Sequence, residues 1–319
     1  MTRSTPTRET VSMADLPTRA GETRIICLGL SALDQIWRVD QLFGGGSEKI
    51  KGVEYVTIGG GMAANAAVTV SRLGGRAMFW GRGGADAAGL EMRRAFEADG
   101  VDVAQFRLFP DGASSVSGII IDAAGERQIV NFRGRFPETA EWLRLEQVAT
   151  ASAVLADPRW VAGAVAMFGA ARLAGIPTVL DADVADEEVF RELLPLSDHA
   201  VFSEPALTRF AGSALDDALA RVASFGCRVA AVTRGSSGVT WRVDGKVQSA
   251  PAFAVNAIDT IGAGDVFHGA YAFAVGAGLP LDDIIAFASA AAALKCTRRG
   301  ARAGIPTLQD CLAFQRNNR

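Results

Sequence analysis

The feature that most constrains the fold is a regular alternation of short apolar runs with helix-like segments in the second half of the chain. The apolar runs are only four or five residues long, and each is followed by a segment with a helical spacing of apolar residues. The predicted strands are residues 153–156, 178–181, 199–203 and 229–233, and the predicted helices are residues 162–174, 186–194, 205–211 and 215–225. Such alternation builds a parallel sheet with helices on both faces, so we predict an α/β fold.

The first half of the chain adds a buried strand at residues 24–30 and two stretches rich in short strands. Residues 36–58 and residues 106–132 show the alternation of strands that are open on one face. We predict that they form a small lid sheet over the edge of the main sheet where the ligand binds. Because a small sheet has an apolar face to bury, we also predict a homodimer in which a second subunit covers the lid.

The chain is predicted to be one domain, residues 24–319, preceded by a disordered tail at residues 1–23 that is rich in Thr, Arg, Ser and Pro. Met13 is an alternative start. The tail lacks the apolar stretch of a secretory signal, and the longest apolar run, residues 284–294, is too short to span a bilayer. We therefore expect no membrane partner.

Composition excludes further classes of protein. The formal net charge is −3, only 21% of the 319 residues are charged, and no dense basic run is present, so nucleic acid is a poor candidate partner. The cysteines are scattered, without a metal-binding pair, at Cys27, Cys227, Cys296 and Cys311. Reduced thiols in a cytoplasmic protein fit this pattern.

The segment that points to chemistry is Asp259-Thr260-Ile261-Gly262-Ala263-Gly264-Asp265, which precedes a predicted helix at residues 266–278. Small residues let the backbone approach a ligand, and the unpaired N–H groups of a helix start favour an anion, most often phosphate. A carboxylate at such a site suits a general base that takes a proton from a hydroxyl while the amides hold phosphoryl charge. The alternative is that Asp265 only caps the helix.

Three motifs, in this order, resemble those of the ribokinase-like, or PfkB, carbohydrate kinases. They are Gly59-Gly60-Gly61-Met62-Ala63-Ala64-Asn65, then Thr233-Arg234-Gly235-Ser236-Ser237-Gly238, then Asp259 to Asp265 continued by Val266-Phe267-His268-Gly269. The resemblance implies a ribokinase-like three-layer α/β/α sandwich with a mainly parallel central sheet and a small β-sheet lid. It also implies ATP and Mg²⁺ as cofactors and phosphorylation of a sugar hydroxyl.

The same resemblance assigns site residues by motif. It implies that Asp265 is the catalytic base, beside an anion hole formed by Gly262, Ala263 and Gly264. Sugar binding is implied for Asp34, Gly60, Gly61 and Asn65, and nucleotide binding for Ser203, Thr233, Gly235, Gly238 and Gly264.

The chain departs from the family where an Asn-x-x-Glu motif is usual. The corresponding residues are Ser203-Glu204-Pro205-Ala206, so the glutamate that helps to organise magnesium is replaced by Ala206. Glu204 is the candidate magnesium residue in its place.

Within the family, the chain is similar to kinases that act on 6-deoxy-6-sulfofructose. This similarity is carried by Ala156-Asp157-Pro158-Arg159-Trp160, Phe202-Ser203-Glu204-Pro205, Ala293-Leu294-Lys295-Cys296-Thr297-Arg298 and Arg302-Ala303-Gly304-Ile305-Pro306. It implies that Lys49, Asn131 and Arg159 bind the sulfonate, an anion that suits a fixed guanidinium and neutral donors. Alternatively, Arg159 pairs with Asp157 or Asp181, Lys49 is a solvated charge, and Asn131 satisfies lid backbone groups.

The expected reaction is transfer of the ATP γ-phosphoryl group to the C1 hydroxyl of 6-deoxy-6-sulfofructose. Alternatives are a PfkB kinase for fructose, for another ketose or for a sugar acid such as 2-keto-3-deoxygluconate, and a sugar-binding regulator without catalysis. An NAD-dependent oxidoreductase is disfavoured because the Gly59-Gly60-Gly61 run lacks the Gly-x-Gly-x-x-Gly spacing.

Overall fold

The computed structural model describes residues 11–47 and 49–318. Its strands are Arg24–Gly29 (β1), Ala32–Val39 (β2), Gly52–Gly60 (β3), Arg76–Gly84 (β4), Asp102–Phe109 (β5), Ser115–Ile121 (β6), Arg127–Phe132 (β7), Ala153–Ala156 (β8), Thr178–Ala182 (β9), His199–Ser203 (β10), Val229–Thr233 (β11), Val239–Val243 (β12) and Lys246–Ala250 (β13). The α-helices are Leu16–Arg19 (α1), Met62–Arg72 (α2), Ala87–Ala98 (α3), Val161–Ala174 (α4), Glu187–Leu193 (α5), Glu204–Ala211 (α6), Leu215–Ala223 (α7), Ala263–Ala277 (α8), Leu281–Cys296 (α9) and Leu308–Asn317 (α10).

The main sheet has the strand order β13-β12-β11-β10-β9-β8-β1-β4-β5. Every pairing from β11 to β5 is parallel, and β12 and β13 add an antiparallel hairpin at one edge. Parallel strands need crossover connections, which here are helices that cover both faces of the sheet. The predicted α/β fold is therefore confirmed, and the hairpin of β12 and β13 and helix α10 are elements that the sequence patterns did not reveal.

Two hydrophobic clusters hold the three layers together, one on each face of the main sheet. Strand β1 shows the division, because Ile25 and Cys27 belong to the cluster with α2, α8 and α9, whereas Ile26 and Leu28 belong to the cluster with α4 to α7. All four side chains are 0% exposed. A strand buried on both faces gives a continuous apolar run instead of an alternating one, which is why β1 was readable from the sequence.

A second sheet, the lid sheet, has the order β3-β2-β6-β7 and stands against the carboxyl edge of the main sheet. Its inner face buries Ile36, Ile119 and Ile121. Two details of the prediction are wrong. The lid begins at Ala32 instead of residue 36, and residues 106–109 belong to β5 in the main sheet, not to the lid.

The expectation of a disordered tail to residue 23 is wrong for residues 11–23. This segment forms two 3-10 turns, Met13–Asp15 and Ala20–Glu22, on either side of α1. It is held because Val11, Leu16 and Ala20 pack into the core at 5%, 0% and 6% exposure. The remaining part of the predicted tail, residues 1–10, lies outside the described residues.

Across the described ranges, no helix combines the length and the apolarity that a membrane crossing requires.

Candidate active site

A cavity of about 680 Å³ lies between the carboxyl edge of the main sheet and the lid sheet. It brings together many of the predicted site residues, namely Asp34, Gly61, Asn65, Asn131, Arg159, Gly262 and Asp265. They come from distant parts of the chain, and the open carboxyl edge of a parallel sheet is where ligands bind in α/β folds.

The buried carboxylate of Asp157, directly after β8, fixes one wall of this cavity. One of its oxygens accepts hydrogen bonds from the amides of Leu30 at 2.7 Å and Ala63 at 3.1 Å, and the other accepts one from the amide of Arg159 at 2.9 Å. Burial raises the pKa of Asp157, and these three N–H donors oppose that effect. The carboxylate lies so close to Gly29 that a methyl group at Gly29 would overlap it.

The predicted anion site, which we call the anion turn (residues 262–265), forms the start of α8. Gly262 precedes the helix with φ of +76°, a left-handed conformation that favours glycine. The Ala263 N–H donates to the Thr260 carbonyl at 3.2 Å, whereas the N–H groups of Gly262, Gly264 and Asp265 have no acceptor among residues 11–47 and 49–318. These three amides, at the positive end of the helix dipole, are free to hold an anion.

The loop before the anion turn is held by Asp259 and Lys295. The Asp259 carboxylate accepts from the amide of Ile261 at 2.9 Å and from that of Gly300 at 3.0 Å. The ammonium of Lys295, 0% exposed, donates to the Asp259 carbonyl at 2.8 Å and lies 3.4 Å from Oδ1.

Asp265 lies in the first turn of α8, and its carboxylate faces the cavity. Its Oδ2 accepts a hydrogen bond of 2.7 Å from Nδ2 of Asn65. Burial, and then the nearby charge of Asp181, raise the pKa of Asp265 to about 8, while the Asn65 hydrogen bond lowers it. A carboxylate with a pKa near working pH can accept and release a proton, as a general base must.

His268, one helical turn after Asp265, is a packed residue. It is 3% exposed, and its ring nitrogens face the carbonyl oxygens of Gly264 at 2.8 Å and Val201 at 3.2 Å. Burial lowers its pKa.

The end of the cavity that faces the lid holds Asp34, which lies within lid strand β2. Its carboxylate lies against Gly60, where a methyl group would overlap it. Gly61, with φ of +99°, turns the chain into α2. On the adjacent strands, Asn131 donates to the Ser117 hydroxyl at 3.1 Å.

Arg159 also lines the cavity and is already partnered. Its guanidinium forms an ion pair of 2.9 Å with Asp183 and donates to the Val184 carbonyl at 2.8 Å. Its partner is therefore neither Asp157 nor Asp181, although its amide does contact Asp157. Lys49, by contrast, is exposed in the loop between β2 and β3 and does not line the cavity.

Three arginines that the sequence analysis did not single out, Arg82, Arg133 and Arg209, also line the cavity. Arg209, on α6, pairs with Asp186 at 3.1 Å. Arg82 is buried, stacks on Trp160 at 4.7 Å and pairs with Glu138 at 3.0 Å. Arg133 is exposed in the segment after β7. The segment between Gly81 and Gly84 offered no motif that would have identified Arg82, because its contacts come from distant parts of the chain.

The residues predicted to bind nucleotide lie at the same sheet edge but do not line this cavity. Ser203 and Thr233 are paired neighbours at the ends of β10 and β11. Gly235 and Gly238, with φ of +54° and +85°, form the tight turn that follows Thr233. A methyl group at Gly238 would overlap the Ala250 carbonyl, so this turn requires glycine.

Glu204 does not belong to a preformed metal cage. Its carboxylate pairs with Arg234 at 3.0 Å and is 52% exposed. No group of three or more His, Cys, Asp or Glu side chains suited to a metal occurs in the part of the chain that the structure describes. This arrangement fits a magnesium ion that is held mainly by nucleotide phosphates and water, as Mg²⁺ commonly is.

Comparisons with known proteins agree with this geometry. The profile of the pfkB family carbohydrate kinases matches residues 22–308. A fructokinase from Klebsiella pneumoniae is 32% identical over 79% of this chain and 90% of its own length.

Solved structures give the same result. A candidate ribokinase from Agrobacterium tumefaciens superposes with a TM-score of 0.88 and 37% identity, covering 92% of this chain and 98% of the other. Arabidopsis thaliana ribokinase, solved with ribose and ATP, gives a TM-score of 0.83 and 26% identity, covering 92% and 98%. The implied ribokinase-like fold is confirmed, and the chain belongs to the PfkB family of carbohydrate kinases, which are ATP-dependent phosphotransferases acting on sugar hydroxyls.

Proposed function

We propose that this kinase transfers the γ-phosphoryl group of ATP to the C1 hydroxyl of 6-deoxy-6-sulfofructose. The observation that carries the proposal is the polarity of one cavity. The carboxylate of Asp265 and the free amide of Gly262 line it together with the guanidinium groups of Arg159 and Arg82. A sugar with a hydroxyl at one end and a permanent anion at the other matches that polarity.

In the proposed reaction, Asp265 accepts the C1 hydroxyl proton as the sugar oxygen bonds to the γ-phosphorus. The bond from that phosphorus to the bridging oxygen of ADP breaks, and the electron pair leaves with ADP. The amides of the anion turn stabilise charge on the phosphoryl oxygens, which is most of what such enzymes contribute. Magnesium bound with the nucleotide, within reach of Glu204, would neutralise phosphate charge.

The other residues that the sequence singled out take supporting roles in the proposal. Asp34 and the turn at Gly60 and Gly61 would bind sugar hydroxyls, and Asn65 would hold Asp265. Ser203, Thr233, Gly235 and Gly238 would border the nucleotide.

Arg159 is the proposed sulfonate ligand. Its ion pair with Asp183 and its hydrogen bond to Val184 fix the guanidinium plane, and its side chain is 19% exposed toward the cavity. A fixed fork of donors loses little conformational entropy when it binds an anion. Asn131 and Arg133 approach the same cavity from the lid, whereas Lys49 would have to move to reach it.

The first experiment tests the chemistry. General-base catalysis is typically worth about 10²–10⁴-fold in rate, so Asp265→Asn should lose at least 100-fold in kcat while keeping its circular dichroism spectrum. A variant that kept a tenth of wild-type kcat would rule out the assigned role.

The second experiment tests the substrate. An ATP-coupled assay with 6-deoxy-6-sulfofructose, fructose, fructose 6-phosphate and 2-keto-3-deoxygluconate should give the highest kcat/KM for the sulfonated sugar. Arg159→Ala should lower kcat/KM for that sugar by at least tenfold more than for fructose, since a charge-assisted contact is removed. Arg94→Ala, at an arginine whose side chain is 74% exposed, is the control. Equal losses on both sugars would contradict the sulfonate role.

A second candidate function is phosphorylation of fructose, of another ketose or of a sugar acid. The Klebsiella fructokinase favours a ketose, and Arg159 could equally bind a carboxylate. The substrate panel separates these cases directly. A regulator without catalysis is the remaining alternative, which any sugar-dependent release of ADP would eliminate.

We also propose that the kinase forms a homodimer through the outer face of the lid sheet. This face carries large exposed apolar side chains at Val53, Tyr55, Val130 and Phe132, which are 63%, 53%, 74% and 49% exposed. The strand register places them on one side, away from Ile36. In a dimer with twofold symmetry, this face of one subunit would pack against the same face of the other.

Sedimentation should therefore give a dimer, and Val130→Asp should give a monomer. Leu173→Asp, at a leucine 93% exposed on α4, is the control and should leave the mass unchanged. A wild-type monomer at micromolar concentration would contradict the proposal.

The free cysteines, three of them buried, support a reducing compartment such as the cytoplasm.

A further inference from the structure

Arg302 is a buried charged residue that the proposed mechanism has not used. It follows α9 and is 7% exposed, and its guanidinium lies over the ring of Phe96 at 5.0 Å. It also lies flat against Gly59, where a methyl group would overlap it. Burial lowers its pKa to about 10, so it remains charged at neutral pH.

The guanidinium makes one hydrogen bond to a side chain of the site. Its Nε donates to Oδ1 of Asn65 at 3.0 Å. Its two terminal nitrogens have no hydrogen-bond partner within residues 11–47 and 49–318. The contact with Asn65 is therefore the one through which Arg302 can act on a neighbour by hydrogen bonding.

That contact determines which way the Asn65 amide points. An arginine Nε–H can only donate, so the oxygen of Asn65 must face it. The Asn65 NH₂ group must then face Asp265, to whose Oδ2 it donates at 2.7 Å. In the flipped orientation, an N–H would meet an N–H and a carbonyl oxygen would meet a carboxylate, so both contacts would be repulsive.

We propose that Arg302 is a positioning residue for phosphoryl transfer, because it locks the amide of Asn65 so that its donor end always faces the catalytic carboxylate. This inference rests on the proposed role of Asp265 as the base. A fixed donor favours the ionised carboxylate and sets the direction of its free oxygen, which must receive the proton of the sugar hydroxyl.

We call the hydrogen-bonded chain from Arg302 through Asn65 to Asp265 the relay. Several other charged groups surround Asp265 and also influence its ionisation. Asp181 on β9 and Asp157 after β8 disfavour its ionisation, and His268 on α8 favours it. Asp99 after α3, Asp34 on β2 and Asp265 itself lie near enough to Arg302 to stabilise its charge. None of the other groups determines the orientation of Asn65 in the relay. Because Arg302→Met removes a charge near Asp265 as well as the contact with Asn65, the double variant is needed to separate the two effects.

The test compares the pH dependence of kcat/KM for wild type, Arg302→Met, Asn65→Ala and the double variant, with whichever sugar of the panel the wild type phosphorylates. Arg302→Met should move the acidic limb upward by about 0.5–1 pH unit, the size expected when one hydrogen bond to a carboxylate is lost. It should also lower kcat about tenfold. Asn65→Ala should shift the limb in the same direction, and the double variant should shift it no further than Asn65→Ala alone.

An unchanged limb in Arg302→Met, or shifts that add in the double variant, would overturn the inference and leave Arg302 a structural residue. If Arg302→Met does not fold, Gly59→Ala displaces the guanidinium without removing its charge, and the same upward shift is expected. These outcomes are distinct from failure of the proposed function, which would appear as an active Asp265→Asn.

Discussion

Replacing Lys295 by methionine tests how far one buried charge supports the active-site loop. Methionine keeps the length and apolar contacts of the lysine stem but removes the ammonium, which is fully buried and lies 2.8 Å from the Asp259 carbonyl and 3.4 Å from its carboxylate. The substitution therefore leaves Asp259 without its buried cation.

The expected loss of stability is the difference between the Coulomb attraction of the pair and the cost of burying the ammonium. At 3.4 Å and an effective dielectric constant of about 20, the Coulomb attraction is about 5 kcal/mol, before the cost of burying the ammonium is subtracted. Breaking a buried pair typically costs about 3–5 kcal/mol. Asp259 keeps two amide donors, from Ile261 and Gly300, and is 17% exposed, so we expect a loss of about 2–3 kcal/mol in the free energy of unfolding.

Urea denaturation followed by circular dichroism measures this loss. Lys246→Met, at an exposed lysine in β13, is the matched control and should change stability by less than about 0.5 kcal/mol. Because residues 259–261 lead directly into the anion turn, Lys295→Met should also lower kcat. A variant as stable as wild type would show that the buried ammonium of Lys295 does not stabilise the fold.

Two further predictions concern stability. Asp265 has a pKa of about 8 when folded against 3.8 when unfolded, so its ionisation destabilises the protein as pH rises from about 4 to 8. Thermal melts should show Asp265→Asn more stable than wild type at pH 8, by up to about 5 kcal/mol, with the difference disappearing near pH 4. A difference that does not depend on pH would contradict a raised pKa. Gly269→Ala should destabilise by at least about 1 kcal/mol, because its methyl group would lie 2.6 Å from the Ala66 carbonyl where α8 packs on α2. Gly169→Ala in α4, with nothing within 4 Å, should be neutral or stabilising, and equal effects of the two substitutions would contradict the packing argument.

The central strands were predictable because burial on both faces gives short apolar runs. β8, β10 and β11 have the bounds that the sequence predicted. β5 was assigned to the wrong sheet, since an edge strand open on one face has the same alternation as a lid strand. Local pattern specifies that a residue is in a strand, but the sheet to which the strand belongs depends on contacts distant in sequence.

The candidate site shows the same division. Asp265 and its glycine turn were identified because the chemistry lies in consecutive residues. Arg302 lies in a stretch that carried the family similarity, but nothing near it in sequence pointed to its partner Asn65, which is 237 positions away. Arg82, held by Trp160 and Glu138, lies in no motif. Their importance depends on burial and on partners that only the folded chain brings together.

The connection between β1 and β2 is only two residues long, Leu30 and Ser31, and the Leu30 amide is bonded to Asp157. This short connection restricts how far the lid sheet can move away from the main sheet at this point, so opening near Asp34 is expected to be a rotation about Leu30, Ser31 and the turn at Gly61. A sugar that contacts both Asp34 and Asp265 would bridge the lid sheet and the main domain. Binding of the sugar would then be coupled to the rotation of the lid.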